Sequence, residues 1–297
     1  MRSVALLVNP SAGGGRAAAL LPRAEAALRG HGLEVRTFRT RDIDHACSLA
    51  GQAAQAQDAV VALGGDGLVG CVAGVLRWRP GSVLGILPGG RGNDLARVLG
   101  IPRDLDGACA TIAQGIERPL DVGEAQGDGQ APRTFVGIAS LGFDSEANRI
   151  ANDAPSRLGN LVYAYGALRA LAAWRPARFE LEVEGERSFA VGYSVAAANS
   201  GAYGGGMLLA PDARLDDGLL DVVVVEDVPR LRFLRNLPSV FRGEHVRQPN
   251  VHVLRAVQVH VDADRPFVVY ADGDPIARTP VTLRAVAHAL TVLVPSR

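Results

Sequence analysis

The chain contains no lysine, and all 31 of its basic residues are arginines. That absence excludes a P-loop lysine on a nucleotide and any Schiff-base chemistry. Surplus charge is absent too, since 31 acidic residues balance the arginines; a nucleic-acid binder working through a strong overall basic field is not expected. Cysteine is scarce. Cys47, Cys71 and Cys109 lie far apart in apolar or helical surroundings and read as packing residues of a reducing compartment. Long apolar runs are missing: none approaches the roughly 20 residues that span a bilayer. The first run stops at Asn9 and Pro10, too short for a secretory signal. The expected location is cytoplasmic, with at most peripheral contact at the inner membrane face.

Glycine, by contrast, is abundant where it matters. Two glycine-rich turns, VVALGGDG at 60–67 and LGILPGGRGNDLAR at 84–97, each follow an apolar run and lead into a helical pattern. Backbone without side chains approaches a polyanion closely, and its N–H groups with a helix start favour negative charge. Two such loops imply a nucleotide phosphate chain. Asp66 and Asp94 cannot ligate phosphate without a cation between like charges, so the turns imply magnesium and phosphoryl transfer. Taken singly, each turn is also an ordinary strand-to-helix connection.

The first 120 residues alternate strand, turn and helix: strands at Val4–Val8, Leu33–Thr40, Asp58–Leu63 and Val83–Leu87, helices at 16–30, 42–56, Leu68–Arg77 and Asn93–Leu99. Alternation of this kind predicts a parallel Rossmann-like sheet with ligands beyond the carboxyl ends of its strands. After about residue 120 the segments TFVGIASLGFD, RFELEVEG, SFAVGYSVAAANS, LLDVVVVED, VHVDA and PFVVYADGD read as strands, with helices only at 156–174 and 229–243. At 297 residues two domains are expected. They are an α/β nucleotide-binding domain over 1–122, with 286–297 packing back on it, and a mostly antiparallel β-sandwich over 123–285. The absence of a flexible linker suggests packed domains. Ser11 and Ser140 lack His and Asp partners for hydrolase chemistry, and the six histidines show no ligand spacing.

VNPSAGGGR, VVALGGDG, LGILPGGRGNDLAR, AAANSGAYGGGMLLAPDARLDDGLLDVVVV and YADGDPIARTPVTL stand in an order that resembles the soluble diacylglycerol kinases and related bacterial lipid kinases, over essentially the whole chain. The resemblance implies an ATP-binding first domain, a β-sandwich second domain and a lipid hydroxyl accepted in the cleft between them. On the matching positions, Asn9, Thr40, Gly64, Gly65, Asp66, Gly67 and the loop Pro88–Asp94 (Gly89, Gly90, Arg91, Gly92, Asn93) would line ATP. Asp121 would join Asp66 and Asp94 in a water-linked Mg2+ network, Asp217 with the carbonyls of Arg214 and Leu219 would form a structural Mg2+ site, and Asp272 would be the general base. The implied reaction is phosphorylation of diacylglycerol to phosphatidic acid.

Four positions depart from the family pattern, among them Gly70, which replaces a usual polar residue. Leu68 and Arg91 stand where threonine is usual, and Asp274 where glutamate is more frequent. Losing a hydroxyl costs about 0.5–1.5 kcal/mol of phosphate hydrogen bonding, which an arginine can offset. The alternatives are a kinase for another lipid alcohol (sphingoid base, ceramide, phosphatidylglycerol, isoprenoid alcohol) and a non-catalytic nucleotide or lipid sensor. Without the resemblance, Asp217 and Asp272 read equally as turn residues. Residues 228–247 mix Leu, Phe and Val with five arginines, as a helix at an anionic interface does, interrupted at Pro238. A solvated charged face reads equally well. A lipid substrate at a membrane surface and a homodimer are the expected associations.

Overall fold

The fold is that of a computed structural model, which describes residues 3–56, 59–77, 79–153 and 161–296. Its contacts separate the chain into one compact unit running to Val122 and resuming at Ala287, and a second over Gly123–Val286.

In the first unit, β1 (Ser3–Val8), β2 (Glu34–Arg39), β3 (Ala59–Gly64) and β4 (Val83–Pro88) form a parallel sheet in the order β2-β1-β3-β4. β3 and β4 are buried along their whole length, as continuous apolar runs covered on both faces must be, whereas edge strand β2 alternates. The expected strand start at Asp58 lies outside the described residues. Helices α1 (Arg16–Gly30), α2 (Ile43–Ala56), α3 (Asp66–Leu76) and α4 (Asp94–Val98) fall where the periodicity predicts. α5 (Leu105–Gln114) was not read from sequence; Asp104 caps it by accepting from the Gly107 N–H at 2.8 Å. Ile112 on α5 reaches down to Gly85 of β4, where a Cβ would meet it at 2.6 Å, so that glycine is what lets helix and sheet close. The last part of β15 (Val281–Val294) extends the sheet, pairing in parallel with β4 at Thr291–Val83 and Val292–Leu84.

The cysteine expectation holds only for Cys109, which is buried and unpaired. Packing of α2 on α3 brings Cys47 and Cys71 to a Cα separation of 5.7 Å, and a disulfide joins them. A disulfide is not a mark of a reducing compartment.

The second unit is antiparallel and sandwich-like. β13 (Val268–Ala271), β14 (Asp274–Arg278), β7 (Ile138–Gly142), β9 (Glu186–Ala198), β8 (Ala177–Val183) and β12 (Gln258–Ala263) run in the order β14-β13-β7-β9-β8-β12, ending on β15. β10 (Leu220–Glu226) pairs with both β9 and β11 (Val251–Ala256). β9 changes partner from β8 to β10 at Gly192, where a Cβ would stand 2.2 Å from the Val225 carbonyl oxygen. The core is branched and aromatic, with Phe135, Phe179, Leu141, Val195, Val222, Val259, Val261 and Leu283 all buried. Each such side chain contributes about 1.5–3 kcal/mol by leaving water.

Among the described residues three α-helices accompany this sheet, where two helices were expected. The segment ending GFD is not all strand: β7 stops at Gly142, whose φ of 97° ends the extended run, and α6 (Phe143–Asp153) begins. Of the helix expected at 156–174, residues 156–160 lie outside the described residues, and α7 spans Leu161–Ala173. α8 (Arg230–Val240) runs through Pro238 rather than breaking there, because the proline lies in the last turn and the carbonyl it leaves without a donor is that of half-exposed Leu234. No described helix is long and apolar enough to cross a membrane.

Candidate active site

The loops after β1, β3 and β4 meet through their backbones. A Cβ on Gly90 would stand 2.3 Å from Gly65 Cα, and one on Gly13 would stand 2.5 Å from the Gly89 carbonyl oxygen. The Gly89 N–H donates to the Gly64 carbonyl at 2.8 Å and the Asn9 N–H to the Leu63 carbonyl at 3.2 Å. Side chains are excluded here by contact, so what the loops present is main chain. Gly14 and Gly15, at φ 71° and 95°, have nothing within 4 Å of where a Cβ would be. They lead into α1, whose first turn has no side-chain cap and no acidic residue. That is a helix start with open N–H groups, suited to an anion.

Asp66 ties the second loop to the third. Its carboxylate accepts from the Asn93 N–H at 2.8 Å and the Asp94 N–H at 2.7 Å. Asn93 holds the left-handed conformation at φ 52°, and its side chain closes the turn by bonding the Gly90 N–H and carbonyl, both at 2.9 Å. A Cβ on Gly92 would lie 2.7 Å from one Asp66 oxygen and 3.2 Å from one of Asp94, so both carboxylates border the same turn. Burial first, and then the neighbouring Asp94 charge, push the Asp66 carboxyl above its ordinary pKa, against backbone N–H groups that lower it. A divalent cation would relieve that repulsion, and the pair fits one in charge and ligand chemistry. Arg97 supplies a partial substitute by pairing with Asp94.

The remaining expected residues of this unit are placed as follows. Thr40 is buried, its N–H and hydroxyl both donating to the Val8 carbonyl at 2.9 and 3.2 Å. Asn9 accepts from the Ser11 N–H and hydroxyl, shaping the first loop. Gly67 lies in the first turn of α3, and Arg91 is exposed at the tip of the third loop. Leu68 is buried against Gly64 and fills space rather than facing a ligand. Asp121, on β5 (Ile116–Gly127), is fully buried and accepts from the His288 N–H at 2.7 Å. The bonds bring Asp66 and Asp94 together and tie Asp121 to the His288 backbone. Sequence reasoning missed Gly13–Gly15; the run of three glycines was the signal.

In the second unit, Asp272 occupies the β13–β14 turn at φ 53°. One carboxylate oxygen accepts from the Val136 N–H at 2.8 Å, the other from the Gly137 N–H at 2.9 Å. A Cβ on Gly137 would lie 2.5 Å from that second oxygen, so only glycine admits it. Asn199, buried at the end of β9, grips the same segment: its side chain donates to the Val136 carbonyl and its N–H to the Gly137 carbonyl, each at 3.0 Å. Two sequence motifs far apart thereby fix one carboxylate. Asp274, the next residue but one, is exposed at the start of β14.

Asp217 sits in a turn whose Gly218 has φ 72°. Its carboxylate accepts from the Leu219 N–H at 3.1 Å and pairs with Arg255, while Arg214 reaches Asp216 at 3.3 Å. Among the described residues no group of three His, Cys, Asp or Glu side chains is arranged to hold a metal. At Asp217 a guanidinium already balances the carboxylate expected to take a cation.

A cavity in this unit was not anticipated. It holds about 60 Å³, and its walls are mainly Met207, Leu209, Val225, Phe233, Leu237 and Val240. Asp144 projects into it, held by Ser194 and Tyr203, and burial pushes its carboxyl up to about 6. Burial and the Asp144 charge in turn raise Tyr203. His245 closes one side, one ring nitrogen 3.0 Å from the Leu209 carbonyl oxygen.

The first unit thus offers bare main chain beside a carboxylate pair, and the second fixes a further carboxylate and holds an apolar cavity. Residues 3–125 match the diacylglycerol kinase catalytic domain family, and residues 137–294 the YegS C-terminal NAD kinase beta sandwich-like domain. A diacylglycerol kinase of Mycobacterium tuberculosis is 36% identical over 98% of this chain and 95% of its own. One from Bacillus subtilis is 32% identical over 82% and 80%. A solved diacylglycerol kinase structure from Bacillus anthracis superposes with a TM-score of 0.74 at 22% identity, covering 99% of this chain and 97% of that one, a likeness of fold. The chain belongs to the diacylglycerol kinase catalytic domain family.

Proposed function

We propose that this protein is an ATP- and Mg2+-dependent lipid kinase that transfers the γ-phosphoryl group to a lipid hydroxyl, with diacylglycerol as acceptor and phosphatidic acid as product. The observation that carries the reading is the junction of the three loops, where main chain closed to side chains borders the Asp66–Asp94 pair. Only a polyanion with its cation meets both features.

In this reading Gly13–Gly15, Gly64–Gly67 and Gly89–Asn93 bind the phosphate chain through N–H groups, with Arg91 adding a permanent charge at the rim. Asp66 and Asp94, with Asp121 joined through water, would hold Mg2+, which would neutralise charge developing on the transferring group. Asp272, its orientation fixed by Val136 and Gly137, accepts the acceptor's hydroxyl proton. The acceptor oxygen bonds to the γ-phosphorus as the bond to the bridging oxygen breaks and ADP leaves. The apolar cavity takes the acyl part of the acceptor, and the relatives' names supply diacylglycerol among lipid alcohols.

The test is transfer of labelled γ-phosphate from ATP to a panel of lipid alcohols in mixed micelles, for wild type beside Asp272→Asn. Labelled phosphatidic acid made by wild type and lost in the variant is the expected result. Label on ceramide or another alcohol instead would reassign the acceptor. Mg2+-dependent ATP binding with no labelled lipid would support the sensor reading, to which buried Leu68 in place of a hydroxyl lends weight.

A further inference from the structure

Helix α8 has two faces that touch different things. Phe233, Asn236, Leu237 and Val240, at the spacing of one helix face, line the Asp144 cavity. That face is anchored. Phe233 stacks on Tyr193 with 4.0 Å between ring centroids and meets Phe143 edge-on at 4.9 Å, and the Val240 carbonyl accepts from the Leu208 N–H at 2.9 Å. The opposite side carries Leu231, Leu234 and Phe241, which are 80%, 38% and 57% exposed, with Pro238 between the last two. These recur at three- and four-residue steps and so form one stripe along the helix. Exposed Arg232, Arg235 and Arg242 flank it. Arg242 pairs with Glu244, whereas among the described residues Arg232 and Arg235 make no ion pair. The helix itself bears three arginines and no acidic residue, in a chain of zero net charge.

An apolar stripe beside a row of guanidinium groups is complementary to one surface in particular. Leu and Phe side chains enter the boundary between head groups and acyl chains, while arginines take phosphate oxygens bidentately at every physiological pH. A protein groove would satisfy the stripe but leave the arginines needing a matching row of acids. We propose that α8 docks the protein on an anionic phospholipid bilayer through Leu231, Leu234 and Phe241 with Arg232 and Arg235, so that the wall of the acceptor cavity is also the membrane-facing element. This rests on the lipid-kinase reading for the cavity's occupant, though not for the docking itself. A lipid leaving the bilayer would meet the outer face of the helix whose inner face lines the cavity.

The experiment is co-sedimentation of the full chain with sucrose-loaded vesicles, in the absence of nucleotide and diacylglycerol. Vesicles of phosphatidylcholine alone are compared with vesicles one third phosphatidylglycerol. Wild type is expected to bind the anionic vesicles and to be released by high salt. Arg232→Gln with Arg235→Gln should weaken binding about 25-fold, at about fivefold per arginine, and Leu231→Asp with Phe241→Asp should abolish it. All variants should phosphorylate a short-chain diacylglycerol below its micelle concentration at the wild-type rate, which also shows that they fold. Equal binding to both vesicle types, no binding, undiminished binding by the variants, or dissociation of a dimer by Leu231→Asp would each overturn the docking. Vesicle binding as expected with no phosphotransfer to any lipid would overturn the kinase reading alone.

Discussion

In the proposed reading the three-loop junction and the Asp144 cavity would recognise their ligands by opposite means. At the junction, Gly90 against Gly65 and Gly13 against Gly89 leave main chain as the only surface. In the cavity, side chains from β9, β10, α8 and the segments around them form every wall. A backbone site is specific for charge and geometry common to all nucleotides, so its sequence is constrained to glycine. A side-chain site is specific for shape, and its lining can change without loss of fold. In this account the first region therefore sets the phosphoryl donor, the second sets the acceptor, and Asp272 belongs to chemistry rather than to either affinity.

The sharpest way to break that division is Asp272→Asn. The expected loss in kcat is about 10³-fold, with ATP affinity unchanged; single-turnover kinetics beside equilibrium ATP binding would separate the two, and a parallel loss of binding would merge regions held apart here. Next is Gly90→Ala, whose methyl would overlap Gly65. Pushing the loops apart should lower ATP affinity about 100-fold and stability by about 1–3 kcal/mol, read by calorimetric titration and thermal melting. Retained affinity would mean that main-chain contact between loops is incidental.

The cavity answers to pH instead. Folded Asp144 keeps its proton to about 6, while the unfolded carboxyl loses it near 3.8. The native chain thus binds more protons between those values, and stability falls as pH rises through them. The gap corresponds to about 3 kcal/mol, present in full below pH about 4 and lost above about 6. Asp144→Asn, which stays neutral, should therefore raise stability by about 1–3 kcal/mol at pH 8 and by little at pH 4, as denaturant melts at the two pH values would show. An unchanged difference between pH 4 and 8 would mean that the carboxyl is hydrated. The smallest effect expected is from Arg91→Ala, a side chain at the rim of a backbone site. A loss in ATP affinity of about tenfold or less follows from one exposed charge-assisted contact; a larger loss would make the site partly a side-chain site.

The same contrast explains what could be read in the chain. β1, β3 and β4 are continuous apolar runs ended by glycine turns, and each loop is a contiguous motif, so the α/β order and the residues from Gly64 to Asp66 and Gly89 to Asp94 were visible as local patterns. Asp272 stood out only because the resemblance singled it out; its anchors Val136, Gly137 and Asn199 are brought to it by sheet pairing, which no local pattern reports. Asp144 was read as the tail of a strand, since the left-handed Gly142 that turns β7 into α6 looks like any glycine in a run. The Cys47–Cys71 contact comes from α2 packing on α3, and the two faces of α8 emerge only once Phe233 is seen stacked on Tyr193. Pro238 marked a break that the last helical turn absorbs.

The central claim is that donor binding and proton acceptance reside in different residues. It is tested most directly by measuring the MgATP dissociation constant and the rate of phosphoryl transfer to diacylglycerol for Asp66→Asn and Asp272→Asn side by side. The account predicts that Asp66→Asn loses MgATP affinity and turnover together, whereas Asp272→Asn binds MgATP as wild type does and fails to transfer. Wild-type turnover in Asp272→Asn, or equal loss of MgATP affinity in both, would contradict it.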